Sequence, residues 1–268
     1  MDELDNHLID FDPDINYYDN LISQNHSFSS FDSANEFLNL YQNSFNDNKK
    51  ITILSQNIRS LNRNLDNFLA MFQTDSIPDV LIFSETWHNI NNPVIIPGFI
   101  GYHTVRDRRA GGVSVFVKSH YSSCQLTEYS YANQTIEICT VQISSQSGKL
   151  NLCGIYRPHS DNIDNFCLSL ENIVSQLSCN SCIFAGDFNA NLLSDDEHVY
   201  RYVDMMRSHH FLQVITGVTH PGIIGSCSSL IDHVWINSLC NYSSGILKTG
   251  ISDHHTLFLQ IRNTFLFP

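Results

Sequence analysis

The sequence predicts a layered α/β domain. Three observations carry that expectation. Short runs rich in β-branched and aromatic residues recur along the chain, only a few segments repeat apolar residues at helical spacing, and Gly-rich or polar breaks separate them. An excess of strands over helices in 268 residues fits sheets covered by helices.

Residues 1–32 are rich in Asp, Asn and Ser without a sustained period, and read as a mostly disordered extension. Residues 33–45 predict a short helix capped by Ser33, with Glu36 three positions on. The domain proper is placed at 51–268, after an acidic segment 1–50. Residues 51–57 (ITILSQN) read as a buried strand. Leu61, Leu65, Phe68, Leu69 and Phe72 then recur at helical spacing. Strands follow at 79–86, 111–118, 135–144 and 150–156. Residues 162–178 place Ile163, Phe166, Leu170, Ile173, Val174 and Leu177 on one helical face. A strand at 182–188, a helix at 197–211 and strands at 232–237, 245–250 and 254–261 complete the pattern.

The net charge of −13 is unfavourable for a protein that meets phosphates. It is unevenly spread: residues 1–50 hold ten Asp or Glu against two Lys. Acidic groups elsewhere suit metal ligation, where a bound cation reverses the local sign. The opening MDELDNHLID has neither a basic n-region nor an apolar run, and no stretch approaches membrane-spanning length. An intracellular monomer without membrane attachment is expected. Its eight cysteines then read as thiols, and Cys179 and Cys182 form a CxxC without a second pair at zinc spacing.

Polar residues gather at strand ends. Asn57 ends the first strand and Glu85 the second. Tyr156 and Arg157 follow the strand at 150, and Asp187 and Asn189 follow the strand at 182. Asp232 opens LIDHVWIN, and Asp253 and His254 precede the last strand. Groups at one rim of a sheet are a common way to build a site on a rigid scaffold. Their chemistry converges on phosphodiester hydrolysis. A hard divalent cation takes oxygen ligands such as Glu85, with Asn57 and Asp253 as neighbours. Asp187 and Asn189 suit the attacking water, a carboxylate such as Asp232 would fix the tautomer of His254, and Tyr156 and Arg157 donate to phosphate oxygens. Taken singly, each piece also reads as an ordinary turn, cap or surface loop. Arg59, Arg63, Arg106, Arg108, Arg109 and Arg157 are candidate phosphate contacts.

GDFN (186–189), SDHH (252–255), a strand ending in Asn57 and the SET of 84–86 together resemble the exonuclease–endonuclease–phosphatase superfamily, over about residues 51–262. Within it, the sequence is most similar to the endonuclease domain of LINE-type (non-LTR) retrotransposons. The shared stretches are QNIRSLNRNLDNF, SETW, IPGF before RDRRAGGV, YRPH and SSLIDHVWIN. The resemblance implies a deoxyribonuclease-like four-layer sandwich: two packed β-sheets with helices on both outer faces. It also implies a Mg2+-dependent endonuclease (Mn2+ as substitute) acting on DNA, expected double-stranded, which nuclear residence would suit. Glu85 would be the main metal ligand assisted by Asn57, with Asp253 beside the metal or water. Tyr156 would contact the phosphate, Asp187 and Asn189 would position the water, Asp232 would support His254, and Thr219 would lie near the scissile region. The chain ends just past its last strand, where such proteins continue into a reverse transcriptase, so a truncated element or isolated domain is expected. His159 stands where YRPH usually has a second proline, and AGGV replaces an R…GGG stretch. Two other readings stay open: a catalytically silent retroelement fragment acting as a binding module, and a phosphatase- or deadenylase-like phosphodiesterase.

Overall fold

Strand parity sorts the core into three layers of side chains. In β2 (Lys50–Asn57), Ile51 and Ile53 enter one apolar cluster while Leu54 enters another, because successive strand side chains point to opposite faces. The same split recurs along β3 (Val80–Ser84), where Val80 and Ile82 face one way and Leu81 and Phe83 the other. The computed structural model describes residues 26–262 apart from 46, 48, 73–76, 89–93, 107–109, 146–147, 160–161, 223–226 and 238–240.

Two mixed seven-stranded sheets result. The first runs β1 (His26–Phe31), β13 (Tyr242–Leu247), β14 (Thr256–Arg262), β2, β3, β5 (Val113–Lys118) and β4 (Phe99–Thr104). The second runs β11 (Leu212–Gln213), β12 (Asp232–Ile236), β10 (Ser181–Asp187), β9 (Lys149–Tyr156), β8 (Glu137–Ser144) and β6 (Ser122–Gln125), with β7 (Tyr131–Ala132) also on β8. The sheets share an inner cluster that includes Ile53, Ile82, Val115, Val141, Leu152, Ile183, Val234 and Leu259. At Gly154 they approach closely: a Cβ there would lie 2.8 Å from a methyl of Val113.

The outer faces take the helices. α1 (Ala34–Tyr41) and α2 (Leu61–Leu69) bury Phe37, Leu65 and Phe68 against Leu54, Phe83, Phe116 and Phe258. α3 (Ile163–Leu177) and α4 (Glu197–Ser208) bury Phe166, Val174, Tyr202 and Met206 against Cys153, Phe184 and Trp235. The order helix–sheet–sheet–helix is the four-layer sandwich expected. No helix among the described residues is long and apolar enough to cross a membrane.

Ordered structure begins before the domain start expected at residue 51. His26–Phe31 forms an edge strand paired in parallel with Tyr242–Leu247, and Phe31, Phe37 and Phe45 are buried. The polar composition around these residues masked a small set of aromatic anchors. Residues 1–25, the rest of the expected extension, lie outside the described residues. Ser33 does cap α1, accepting from the Glu36 amide at 3.3 Å, and the Glu36 carboxylate accepts from the Asp32 amide at 3.1 Å. β4, β6, β7 and β11 were not expected from the sequence. β4 is partly exposed at five of its six positions, and β7 and β11 have two residues each, so none shows a clean period.

Candidate active site

One transverse row of the second sheet supplies most of the polar groups. Glu137 pairs with Tyr156 across β8 and β9, Tyr156 with Asp187 across β9 and β10, and Asp187 with Asp232 across β10 and β12. Each has the parity of inward apolar residues on its own strand: Cys139 and Val141, Leu150 and Leu152, Ile183 and Ala185, Val234 and Ile236. The inner face is therefore apolar along its length and polar at one end. Facing that end from the first sheet is Asn57, in phase with Ile51 and Ile53 on β2 and in register with Ser84.

Asn57 ties the two sheets together. Its Nδ2 donates to Glu85 Oε1 and to Asp187 Oδ2, both at 2.9 Å, and lies 3.5 Å from His254 Nε2. His254 Nδ1 lies 2.9 and 3.0 Å from the two carboxylate oxygens of Asp232. With Nδ1–H donated to that carboxylate, Nε2 faces the cluster. Ser252 Oγ donates to the Asn57 carbonyl at 2.6 Å and accepts from the His254 amide at 3.2 Å, holding the last loop against β2.

Glu85 sits in a strained turn. Glu85 and Trp87 both have positive φ, 49° and 47°, as do Arg59, Ser60 and Asn189. Such backbone costs of order 1–3 kcal/mol per residue and persists only where the surroundings over-determine it. Here the carbonyls of Gly111 and Gly112 accept from Trp87 and Thr86, and the carbonyls of Glu85 and Thr86 accept from Ser60 and Leu61. Gly112 is held in turn: its N–H donates to Glu137 Oε2, whose other oxygen accepts from Arg106 at 3.0 Å. Gly186 has a different necessity, since a Cβ at its φ of 148° would sit 2.0 Å from the Ile155 carbonyl oxygen.

Burial sets the protonation of the cluster. Asp187 is raised to about 7 by burial and by the neighbouring charge of Asp232. Burial pulls His254 down, but the charge and hydrogen bond of Asp232, then the charges of Asp187 and Asp253, outweigh it and lift the imidazole to about 9. Burial, reinforced by Glu85, Asp187 and Glu137, holds the Tyr156 phenol far above its usual range. It stays a hydrogen-bond donor.

The chemistry of the donor set fits a hard divalent cation. Glu85 and Asp187 share one carboxamide, and among the described residues no lysine or arginine lies within ion-pair distance of either. The Asn57 carboxamide, turned over, would offer its oxygen to the same point. Asp187, Asp232 and His254 offer potential ligand atoms within 4.8 Å of one another, as do His220, Asp253 and His254.

The structure brings Asn57, Glu85, Tyr156, Asp187, Asp232 and His254 to one rim, with Asn189 beside them. Asn189 Nδ2 donates to the Arg157 carbonyl at 2.6 Å, which leaves its buried Oδ1 with no hydrogen-bond partner among the described residues. Thr219 lies behind the rim: its Oγ1 accepts from the Ile231 and Asp232 amides at 3.1 and 3.0 Å. Asp253 is paired with Arg59 at 3.0 Å and lies 3.4 Å from His220, beside His254 in the second of the two potential ligand groups. Arg157 corrects the sequence reading. It is buried, donates from Nη1 to the Asn189 carbonyl at 2.7 Å and lies 5.8 Å from the Phe166 ring centroid, so it braces a loop and offers no exposed phosphate contact. Arg106 is likewise committed to Glu137. Arg108 and Arg109 lie outside the described residues. Glu137 itself was missed. Its parity with Cys139 and Val141 was the available signal, a carboxylate on an otherwise apolar face.

This fold and rim define a phosphoester-hydrolase-like sandwich. The chain belongs to the endonuclease/exonuclease/phosphatase family, whose model matches residues 54–254. It is 27% identical over 138 residues to the RNA-directed DNA polymerase from mobile element jockey of Drosophila melanogaster, a match covering 50% of this chain and 14% of that protein. Among solved structures it is similar to the endonuclease domain of TRAS1, a telomere-specific non-LTR retrotransposon. The TM-score is 0.65 at 13% identity, over 80% of this chain and 99% of that one. It is also similar to the AP endonuclease LMAP from Leishmania major, TM-score 0.65 at 14% identity, over 82% and 90% of the two chains. The retrotransposon likeness that the motifs implied is thus met by a mobile-element protein in sequence and by a retrotransposon endonuclease domain in fold.

Proposed function

We propose that the chain is a divalent-metal-dependent endonuclease that hydrolyses a DNA phosphodiester bond and nicks one strand. The observation that carries this reading is the convergence on Asn57 of Glu85, Asp187 and the His254–Asp232 pair. The retrotransposon endonuclease likeness supports DNA as the substrate.

Glu85, assisted by Asn57, would hold Mg2+ or Mn2+. When bound, such a cation polarises the phosphate and offsets charge on the leaving oxygen. Asp187 is poised near neutrality to accept a proton from water. Asn189, its amide nitrogen fixed by Arg157, offers Oδ1 to the second hydrogen of that water. Tyr156, kept protonated, donates to a non-bridging oxygen. His254, kept cationic by Asp232, donates from Nε2 to developing negative charge.

The test is conversion of supercoiled plasmid to open circles across a titration of Mg2+ and Mn2+. Nicking is expected with the intact chain, and a fall of at least about 100-fold in Glu85→Ala and in His254→Ala. A chain that binds plasmid yet leaves it supercoiled at every metal concentration is a binding module instead.

A further inference from the structure

We propose that Trp87, Arg63 and Ile251 form a subsite beside the rim that holds one unstacked nucleobase and its phosphate, so that the enzyme grips a single-stranded or opened nucleotide next to the bond it cuts. The proposal rests on the DNA-hydrolase reading above and adds a ligand class to it.

A shallow pocket of about 330 Å³ opens there, with Arg59, Arg63, Trp87, Ile251 and Asp253 among its walls. Three of these are near neighbours in sequence of rim residues: Arg59 is two beyond Asn57, Trp87 two beyond Glu85, and Asp253 precedes His254. Consecutive Cα atoms are 3.8 Å apart, so the pocket lies within a nucleotide's reach of the rim.

Trp87 is the telling wall. Its side chain is 40% exposed, whereas the other tryptophan, Trp235, is 1% exposed. The exposed ring is not on a loose loop. Its backbone has φ 47° and is pinned by the Trp87 N–H to the Gly111 carbonyl at 2.9 Å. A rigid aromatic face open to solvent is what base stacking requires, and any base supplies the matching π-face.

The electrostatics around the ring favour a phosphate. Asp253, the one acidic wall named here, is neutralised by Arg59 and His220. Arg63 has no ion-pair partner among the described residues, so its charge is available to a ligand. It lies in the first turn of α2, a nine-residue helix with no acidic residue in that turn and no side-chain cap from Ser60, which adds the positive end of the helix dipole.

The two tryptophans make the test direct. Intrinsic fluorescence is followed while a single-stranded oligothymidine of about 12 nucleotides is titrated in EDTA. A matched oligomer of abasic deoxyribose phosphates serves as comparison. Oligothymidine should quench emission and the abasic chain should not. Trp87→Phe, which keeps a ring, should remove the quench while retaining binding, and Trp87→Ala should weaken oligothymidine binding by about 5- to 100-fold without affecting the abasic chain. Arg63→Ala should weaken both chains and reduce the salt slope by about one. Quenching that survives Trp87→Phe, or oligothymidine affinity that Trp87→Ala leaves unchanged, overturns the subsite. If the plasmid is still nicked in that case, the endonuclease reading stands alone. If the intact chain neither nicks plasmid nor binds either oligomer, both fall together.

Discussion

His254 and Asp232 show how one residue's chemistry is set by another. The Asp232 carboxylate spans the His254 Nδ1 with both oxygens, and the Asp232 backbone is held by its N–H donating to Thr219 Oγ1. Replacing Asp232 by Asn keeps the shape and removes the charge. The imidazole then loses the partner that holds it cationic, and the Asn amide can turn the tautomer. Nicking by Asp232→Asn should fall by about 100- to 10,000-fold at unchanged circular dichroism; a rate within threefold of the parent contradicts the assignment of Asp232. A second histidine carries a stability prediction. His233 Nε2–H donates to the Ala190 carbonyl at 3.0 Å, so its Nδ1 accepts from the Tyr202 hydroxyl at 3.0 Å, which accepts from Trp235 at 2.6 Å. Burial depresses His233 to about 4. The unfolded chain therefore binds the extra proton from about pH 6.5 downward. Stability from neutral His233 is present above that value and lost as pH falls towards 4, by roughly 3 kcal/mol. Urea midpoints between pH 7 and 4 should show that slope, and His233→Gln should flatten it. At this scale the sequence revealed which side chains end strands, as with Asn57, Asp187 and Asp232. It did not reveal where a long side chain turns: Arg157 differs from expectation because folding offered its guanidinium a closer partner than a phosphate.

Between elements, the Glu85 turn depends on a strand that carries no substrate group. Glu137 opens β8, holds the Gly112 amide and Arg106, and through Gly111 and Gly112 fixes the backbone that bends at Glu85 and Trp87. Its side chain is fully buried and that of Arg106 nearly so, 0% and 12% exposed. Removing one member of such a pair leaves the other as an uncompensated charge, which costs about 3–5 kcal/mol. Glu137→Gln should lose stability on that scale in urea unfolding. Arg106→Met with Glu137→Met should lose less than the two single changes summed, and additive losses would show that the pair is not coupled. Nicking by Glu137→Gln should also fall, since the Glu85 turn loses its brace. Period-two and helical patterns made the central strands and α2, α3 and α4 readable, because each buries a continuous face. The edge strand β4 escaped because half its surface meets solvent, and the pairing row through Glu137, Tyr156, Asp187 and Asp232 is a property of register that no single segment contains.

For the whole molecule, the segment before residue 51 is part of the first sheet and its cover. Composition placed the start at residue 51, yet the first sheet is finished by β1 and covered by α1. Phe31, Phe37 and Tyr41 each pack at a tilt against Phe258, with ring centroids 5.6, 5.1 and 5.1 Å from it. β1 also approaches β13 so closely that a Cβ on Gly245 would sit 1.9 Å from the Ser29 carbonyl oxygen. Burying an aromatic side chain contributes about 1.5–3 kcal/mol, so Phe31, Phe37 and Phe45 together supply roughly 5–9 kcal/mol. That is comparable to the whole stability of an ordinary domain, about 5–15 kcal/mol. A chain beginning at Ile51 should therefore be insoluble, or bind a hydrophobic dye and unfold without a cooperative transition. Phe37→Ala in the full chain should cost about 3–5 kcal/mol. Because the first 50 residues carry ten of the 27 acidic groups, the comparison belongs in high salt, where lost repulsion cannot pass for lost packing. A chain from Ile51 that melts at the parent's temperature and still nicks plasmid would return the boundary to residue 51; a collapse shared by Phe37→Ala would make these aromatics part of the scaffold that holds Asn57 against Asp187.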